Sequence, residues 1–150
     1  MSAWRLLVVL AAGCAASHGA RIARMSSSCL ERCEAYEVSV YADGFVAYRG
    51  WAHVVHGRRT AYLSTAKLAA LDAAFAGFAA IDGHAIQCNI DDNGVLYTLE
   101  YRGRRISFFS WCDKVPYEVR SIVVDVERTL DVQRWFGTPE QRARLPESKR

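Results

Sequence analysis

Apolar and polar residues alternate along two stretches of the chain, and each stretch predicts a β-hairpin. The first covers residues 36–41 and 45–49 and is interrupted by Asp43-Gly44, a dipeptide favoured in tight turns because glycine adopts positive φ without steric cost. Pairing across a two-residue turn assigns the side chains to faces. One face carries Val38, Val40, Phe45 and Ala47, and the other carries Tyr41, Val46 and Tyr48.

The second predicted hairpin covers residues 95–101 and 104–111, around Arg102-Gly103. This register separates an apolar face from a polar one and places Glu100 opposite Arg105 as a cross-strand ion pair. Two further strands are predicted over residues 51–56 and 60–63. The apolar face of the second hairpin carries Val95, Tyr97, Leu99, Ile106 and Phe108.

Apolar residues at helical spacing predict two helices. Ser64 supplies an N-cap for the first, over residues 65–78, and Pro116 suits the first turn of the second. The order β-β-β(-β)-α-β-β-α predicts an α+β fold, an antiparallel sheet of two hairpin units with two helices packed on one face. The apolar stripes consist of Leu68, Leu71, Phe75 and Phe78, then Val119, Ile122, Val123, Val126 and Leu130.

The N-terminal residues 1–20 are predicted to be a secretory signal, since Arg5 precedes an apolar run over residues 6–12 and small residues follow. The run is too short to span a bilayer. Leu10-Ala11-Ala12-Gly13-Cys14 resembles a lipobox, which implies that Cys14 is lipidated and becomes the first mature residue. Cleavage after Ser17 or Ala20 is the alternative.

The rest of the chain divides into three predicted parts. Residues 21–28 show no periodicity and end in serines, so a flexible tether is expected. A single folded domain is predicted over residues 29–136, closed by Trp135-Phe136, and residues 137–150 form a polar tail.

Composition narrows the class of protein. The 150 residues are 51% hydrophobic and 23% charged, which fits one globular domain and excludes wholesale disorder or a polytopic membrane protein. The net charge of +3 is too small to indicate nucleic-acid binding. Together with the predicted signal and lipobox, this composition leads us to expect an exported protein of the periplasm or outer membrane that contacts the membrane only through its lipid. The alternative is a soluble periplasmic or secreted protein.

Four cysteines follow Cys14, and an even number in an oxidising compartment predicts two disulfides. We favour Cys29–Cys33, which are close in sequence, with Cys88–Cys112, which the second hairpin brings near each other. Sequence alone permits three pairings.

The stretch over residues 29–50 reads CLERCEAYEVSVYADGFVAYRG and resembles the opening of a family of exported bacterial proteins, domain of unknown function 6438. That family shows C-F-G-x-C-P-x-Y, an alternating strand, D-G and a strand ending in glycine; here Leu30-Glu31 and Glu34 depart from it. The resemblance implies the fold and export, and no activity. The order of elements is also similar to that of emfourin-type metalloprotease inhibitors.

No stretch predicts catalytic or metal chemistry. Residues 89–100 resemble a calcium-binding EF-hand loop, but the exit segment over residues 95–101 alternates as a strand where an EF-hand needs a helix. His53 and His56 fall on opposite faces of a predicted strand. We expect no cofactor and no enzyme, but a binding or structural module for an envelope protein partner; inhibition of an exported protease is the alternative. The predicted contact surface is Tyr41, Tyr48 and Trp51.

Overall fold

The computed structural model describes residues 18–29, 33–83, 86 and 94–143. A six-stranded antiparallel sheet and helices that cover one of its faces form the described part, so the predicted α+β class is confirmed. Two short 3₁₀ turns, Phe78–Ala80 and Val132–Trp135, follow the two long helices. The strands are β1 (Arg21–Ser28), β2 (Ala35–Tyr41), β3 (Phe45–Ala52), β4 (Gly57–Tyr62), β5 (Leu96–Tyr101) and β6 (Arg104–Phe109), and the helices are α1 (Thr65–Ala74), α2 (Tyr117–Leu130) and α3 (Pro139–Ala143).

The tether predicted over residues 21–28 is wrong, because this segment is β1, a central strand. The strand order is β4-β3-β2-β1-β5-β6, and Met25 of β1 lies opposite Val38 of β2 and Leu99 of β5. The strand is rich in small and polar residues, so it shows no alternating hydrophobic pattern. Ser27 is nevertheless buried, and its hydroxyl donates a hydrogen bond to the Glu34 carbonyl at 2.6 Å. The strand joins both hairpins into one sheet, so the folded domain begins before Cys29.

The predicted register of the first hairpin is wrong by one residue. Val38 pairs with Tyr48 and Val40 with Val46, because the turn contains three residues, of which the last is Gly44 with φ +83°. The Gly44 N–H donates to the Tyr41 carbonyl at 2.9 Å, as in a turn closed by a left-handed glycine. Val46 and Tyr48 therefore lie on the same face of the sheet as Val38 and Val40, and not on the other face as predicted.

The second hairpin has the predicted register, with Glu100 opposite Arg105 around the Arg102-Gly103 turn. Both turn residues have positive φ, +47° and +82°, which is the geometry of a two-residue hairpin turn. The carboxylate of Glu100, however, pairs with Arg21 of β1 at 2.8 Å and not with Arg105. Because β1 lies beside β5, it supplies a nearer partner than the sequence indicated.

Two smaller corrections concern the chain after β3 and after α2. No separate strand occupies residues 51–56: β3 continues to Ala52, and His53, with φ +53°, turns the chain toward β4. The predicted polar tail also contributes structure, since α3 lies within it and Arg142 pairs with Glu34 at 3.1 Å. The folded domain thus extends beyond Phe136.

The helices bury the apolar face of the sheet. The Ser64 hydroxyl accepts from the Lys67 N–H, as predicted for an N-cap. α1 ends at Ala74, earlier than predicted, and the 3₁₀ turn returns Phe78 to the core. The most completely buried large side chains include Tyr36, Tyr48, Phe78, Met25, Leu71, Leu99 and Leu130.

Candidate interaction surface

The face of the sheet opposite α1 and α2, here called the open face, has a polar centre. Arg24 Nη2 lies 2.5 Å from Glu37 Oε2, and the Thr98 and Ser107 hydroxyls are 2.9 Å apart. Ser39 and Thr98 are buried although they are on this face. Charged and hydroxyl groups thus occupy the centre of the open face, and its aromatic side chains lie toward the two ends of the sheet.

One end of the sheet, the turn end, is where β1 begins between the turns of both hairpins. Four aromatic side chains form a cluster there on the open face, which we call the turn-end cluster: His18, Tyr41, Phe45 and Tyr62. The His18 ring stacks on Phe45 with centroids 3.5 Å apart, and Tyr41 and Tyr62 pack on Phe45 at 5.7 and 5.4 Å. Tyr62 remains 67% exposed.

Asp43 fixes the position of His18 in this cluster. Its carboxylate accepts from the Phe45 backbone N–H at 3.0 Å and contacts His18 Nδ1 at 3.0 Å. The backbone hydrogen bond and then the His18 contact hold the pKa of Asp43 below its ordinary value. The Ala20 carbonyl also accepts from the Ala42 N–H at 3.0 Å. The chain is therefore attached to the turn end from residue 18 onward.

The opposite end, the disulfide end, exposes two tryptophans, which we call the distal tryptophans. Trp51 near the end of β3 is 38% exposed, and Trp111 just after β6 is 42% exposed. Trp111 stacks beside Phe109 with centroids 6.0 Å apart and packs so closely over Gly94 that a β-carbon there would lie 2.1 Å from its ring. Its indole is thus held in place while part of it faces solvent.

The structure does not bring the predicted contact residues Tyr41, Tyr48 and Trp51 together. Tyr48 is wrong as a surface residue: it is 1% exposed and packs against Tyr36 and Trp135 in the core. The one-residue register shift explains the error, since it moves Tyr48 under the helices. Tyr41 lies in the turn-end cluster and Trp51 at the disulfide end, and their role in binding stays a prediction.

Sequence reasoning missed three residues of these surfaces. His18 fell within the predicted signal, and Tyr62 and Trp111 lay at the ends of strands without an assigned role. Tyr62 lies directly opposite Phe45 in the β3–β4 ladder. Pairing these two strands in the correct register would therefore have placed Tyr62 beside Phe45 from the sequence alone.

The disulfide predicted between Cys29 and Cys33 is present, with their Cα atoms 6.1 Å apart, at the end of β1. Cys112 is buried and also disulfide-bonded. Cys88, its expected partner, lies outside the described residues, as does Cys14.

Beneath the helices at the disulfide end, a cleft of about 140 Å³ contains an acid–phenol pair in which Tyr36 is buried and Glu127 is half-buried. The Tyr36 hydroxyl donates to Glu127 Oε1 at 2.6 Å. Burial raises the pKa of Glu127, the Tyr36 hydrogen bond opposes that shift, and Glu34 adds to it. Burial likewise raises the pKa of Tyr97, also in the cleft, to about 12. The pair connects α2 to β2, and its carboxyl has a pKa raised above the ordinary value by burial.

Within the described ranges no three His, Cys, Asp or Glu side chains lie close enough to hold a metal ion. Residues 89–93 of the EF-hand-like loop lie outside those ranges, and residues 94–100 lie within them. The exit segment, predicted to be a strand, is β5 and not the helix an EF-hand requires. His53 occupies the turn after β3, and His56 lies just before β4.

The fold and surface define a small α+β domain that has one helix-covered face and one open face. The chain belongs to the family described as Domain of unknown function (DUF6438), whose model matches residues 20–130. The match includes β1, in agreement with its central place in the sheet. No curated protein matches the chain. In the described residues, no helix has the length and apolar character needed to cross a membrane.

Proposed function

We propose that this is an exported bacterial envelope protein, anchored by lipid on Cys14, whose domain is a non-catalytic module that binds a protein partner through the disulfide end of its open face. The observation that carries this proposal is the pair of distal tryptophans, each partly exposed, with Trp51 in β3 and Trp111 packed beside Phe109 of β6.

Tryptophan side chains support a binding role because they are enriched among interface residues that contribute most of the binding energy. Trp51 and Trp111 lie on opposite sides of the same sheet face, with β2, β1 and β5 between their strands. Neighbouring strands are about 4.8 Å apart, so a partner that contacts both tryptophans spans about 20 Å of the face. That span suits a protein surface better than a small molecule.

Export is supported by the apolar leader and by two features of the fold. The disulfides are typical of an oxidising compartment. His18 and Ala20 make specific contacts with the first hairpin, so processing after Ala20 would remove groups that belong to the domain. Processing at Cys14 or after Ser17 retains them, so these contacts argue against cleavage after Ala20.

Mass spectrometry of the N-terminal peptide from the native membrane fraction tests the anchor. The expected peptide begins at Cys14 and carries the mass of the acyl groups, and a Cys14→Ser variant is released from the membrane. An unmodified peptide that begins after Ser17 contradicts lipidation.

Site-specific photo-crosslinking tests the binding surface. A photoreactive amino acid replaces Trp51 or Trp111, and a third variant carries it at Tyr117, which is 79% exposed on α2. We expect one protein adduct shared by positions 51 and 111 and absent at 117. Equal labelling at all three positions, or none at 51 and 111, contradicts the proposal. An adduct with an exported protease, coupled with loss of its activity, identifies the inhibitor alternative.

A further inference from the structure

The lipidated cysteine lies very close in sequence to the folded domain. Only residues 15–17 separate Cys14 from His18, and His18 is fixed by stacking on Phe45 and by its contact with Asp43. Four residues span at most about 14 Å, even when fully extended. If Cys14 is acylated, the turn end of the sheet therefore lies within about 14 Å of the headgroup region.

That distance decides what covers the turn end. A small protein domain is about 30 Å across, so a globular partner does not fit between the turn end and the membrane. The surface that can reach the turn-end cluster is the bilayer itself.

The chemistry of the turn-end cluster suits a bilayer interface. Tyrosine places an apolar ring and a polar hydroxyl side by side, and it is enriched where hydrocarbon meets headgroups. Tyr62 exposes two thirds of its surface, and Tyr41 and Phe45 are half-buried beside it. The three rings and His18 pack together at the end of the chain that leads to the anchor.

The charges around the cluster are compatible with an anionic membrane. Two of the arginines at this end are paired, Arg21 with Glu100 and Arg102 with Asp72. A cation near an anionic surface assists membrane binding, and the neighbouring carboxylates reduce that contribution. Charged residues at this end include Arg21, Arg102, Arg104 and Arg105 together with Asp43, Asp72 and Glu100.

We propose that the turn-end cluster rests in the headgroup region of the bilayer to which Cys14 is anchored, so that the domain docks in a fixed orientation with the distal tryptophans directed away from the membrane. This inference rests on the lipidation given under the proposed function. It adds a second membrane contact, made by the folded domain, to the lipid.

The experiment uses the full chain, purified from membranes with its acylation verified by mass spectrometry. The protein is reconstituted into vesicles of phosphatidylethanolamine and phosphatidylglycerol whose acyl chains are brominated near the headgroup. An environment-sensitive fluorescent amino acid replaces Tyr62, Trp111 or Tyr117, all of which are exposed, and near-ultraviolet circular dichroism verifies the fold of each variant. Bromine quenching reports proximity to the bilayer at each position.

Docking predicts a blue-shifted emission at position 62 and quenching about threefold or more above that at 111 and 117, as for a side chain in the interface. A Tyr41→Asp replacement in the position-62 protein adds a charge to the cluster. It is expected to reduce this quenching to the level of 117, while the acylated protein still sediments with the vesicles and keeps its near-ultraviolet circular dichroism.

Equal quenching at all three positions in an acylated protein overturns the docking proposal and leaves the anchor intact. Quenching at 62 that persists in the Tyr41→Asp protein shows that the cluster is not responsible, which also overturns it. If the peptide mass shows no acyl group on Cys14, lipidation itself is wrong and the docking inference falls with it. Crosslinking at the distal tryptophans then remains a separate test of the binding module.

Discussion

The two faces of the sheet share the same strands but differ in what limits substitution. On the helix-covered face, residues from β1, β2, β3 and β5 are almost completely buried and meet α1 and α2. On the open face, charged and hydroxyl side chains pair across strands in the centre, and aromatic residues collect at the ends. The covered face therefore determines stability, and the open face is free to serve binding.

The largest expected difference between the faces is at two leucines of β5. Leu99 is completely buried on the covered face, whereas Leu96 is partly exposed on the open face. Leu99→Ala leaves a cavity and is expected to lower the free energy of unfolding by about 2–5 kcal/mol, against about 1 kcal/mol or less for Leu96→Ala. Urea unfolding measures both, and equal losses would contradict the assignment of the faces.

The next effect concerns the buried pair of Tyr36 and Glu127. Tyr36→Phe removes the donor of a 2.6 Å hydrogen bond and leaves the carboxyl in the cleft without it, so we expect a loss of about 1–3 kcal/mol. Glu127→Gln keeps a hydrogen-bonding group at the same place and is expected to cost less at neutral pH. A larger loss for Glu127→Gln than for Tyr36→Phe would contradict this account of the pair.

The same pair predicts a pH dependence. Because the pKa of Glu127 lies above its ordinary 4.5, the folded protein binds more protons than the unfolded chain between the two values. The contribution of Glu127 to the free energy of unfolding therefore falls as pH rises through that interval and is constant beyond it. Glu127→Gln removes this decline, and Tyr36→Phe extends it to higher pH. Unfolding series from pH 4 to 8 measure it, with Glu118→Gln, an exposed position of α2, as the control for charge.

An element of this fold could be predicted from the sequence where its buried residues form a pattern of large apolar side chains. The helices and the second hairpin followed from spacing, because their buried residues are large and apolar. β1 could not be found in this way, since its buried positions are Ala23, Met25 and Ser27 and its stability comes from hydrogen bonds to strands on both sides.

The candidate surface was harder to predict because it depends on register. The turn before Phe45 has one residue more than predicted, which places Tyr48 on the buried face of the sheet. The alternation of apolar and polar residues does not determine the number of residues in a turn. The contact between His18 and Tyr62 depends on the pairing of β4 with β3 and joins residues that are distant in sequence. Such contacts follow from the assembled sheet and not from any local pattern.

A smaller effect of opposite sign is expected at Tyr48. Its hydroxyl is buried and has no hydrogen-bond partner in the described part of the chain, and burial raises its pKa to about 12. Tyr48→Phe removes an unsatisfied polar group and is expected to increase the free energy of unfolding by up to about 1 kcal/mol. The stacked Tyr36 provides the matched comparison, since the same replacement there destabilises. A loss of stability in both variants would show that the Tyr48 hydroxyl is satisfied.

The smallest effect on stability is expected at Tyr62, on the open face of the edge strand β4. The Tyr62 ring packs edge-on against Phe45 with centroids 5.4 Å apart, but two thirds of its surface is exposed to water in the folded state. Tyr62→Ser is therefore expected to change the free energy of unfolding by less than about 0.5 kcal/mol. The same urea experiment measures it, with Phe45→Ser as the more costly neighbour. A large loss at Tyr62 would mean that the turn-end cluster is needed for folding. A negligible loss would show that the exposed ring is not needed for folding, so that a defect of this variant in vesicle docking can be assigned to the lost membrane contact.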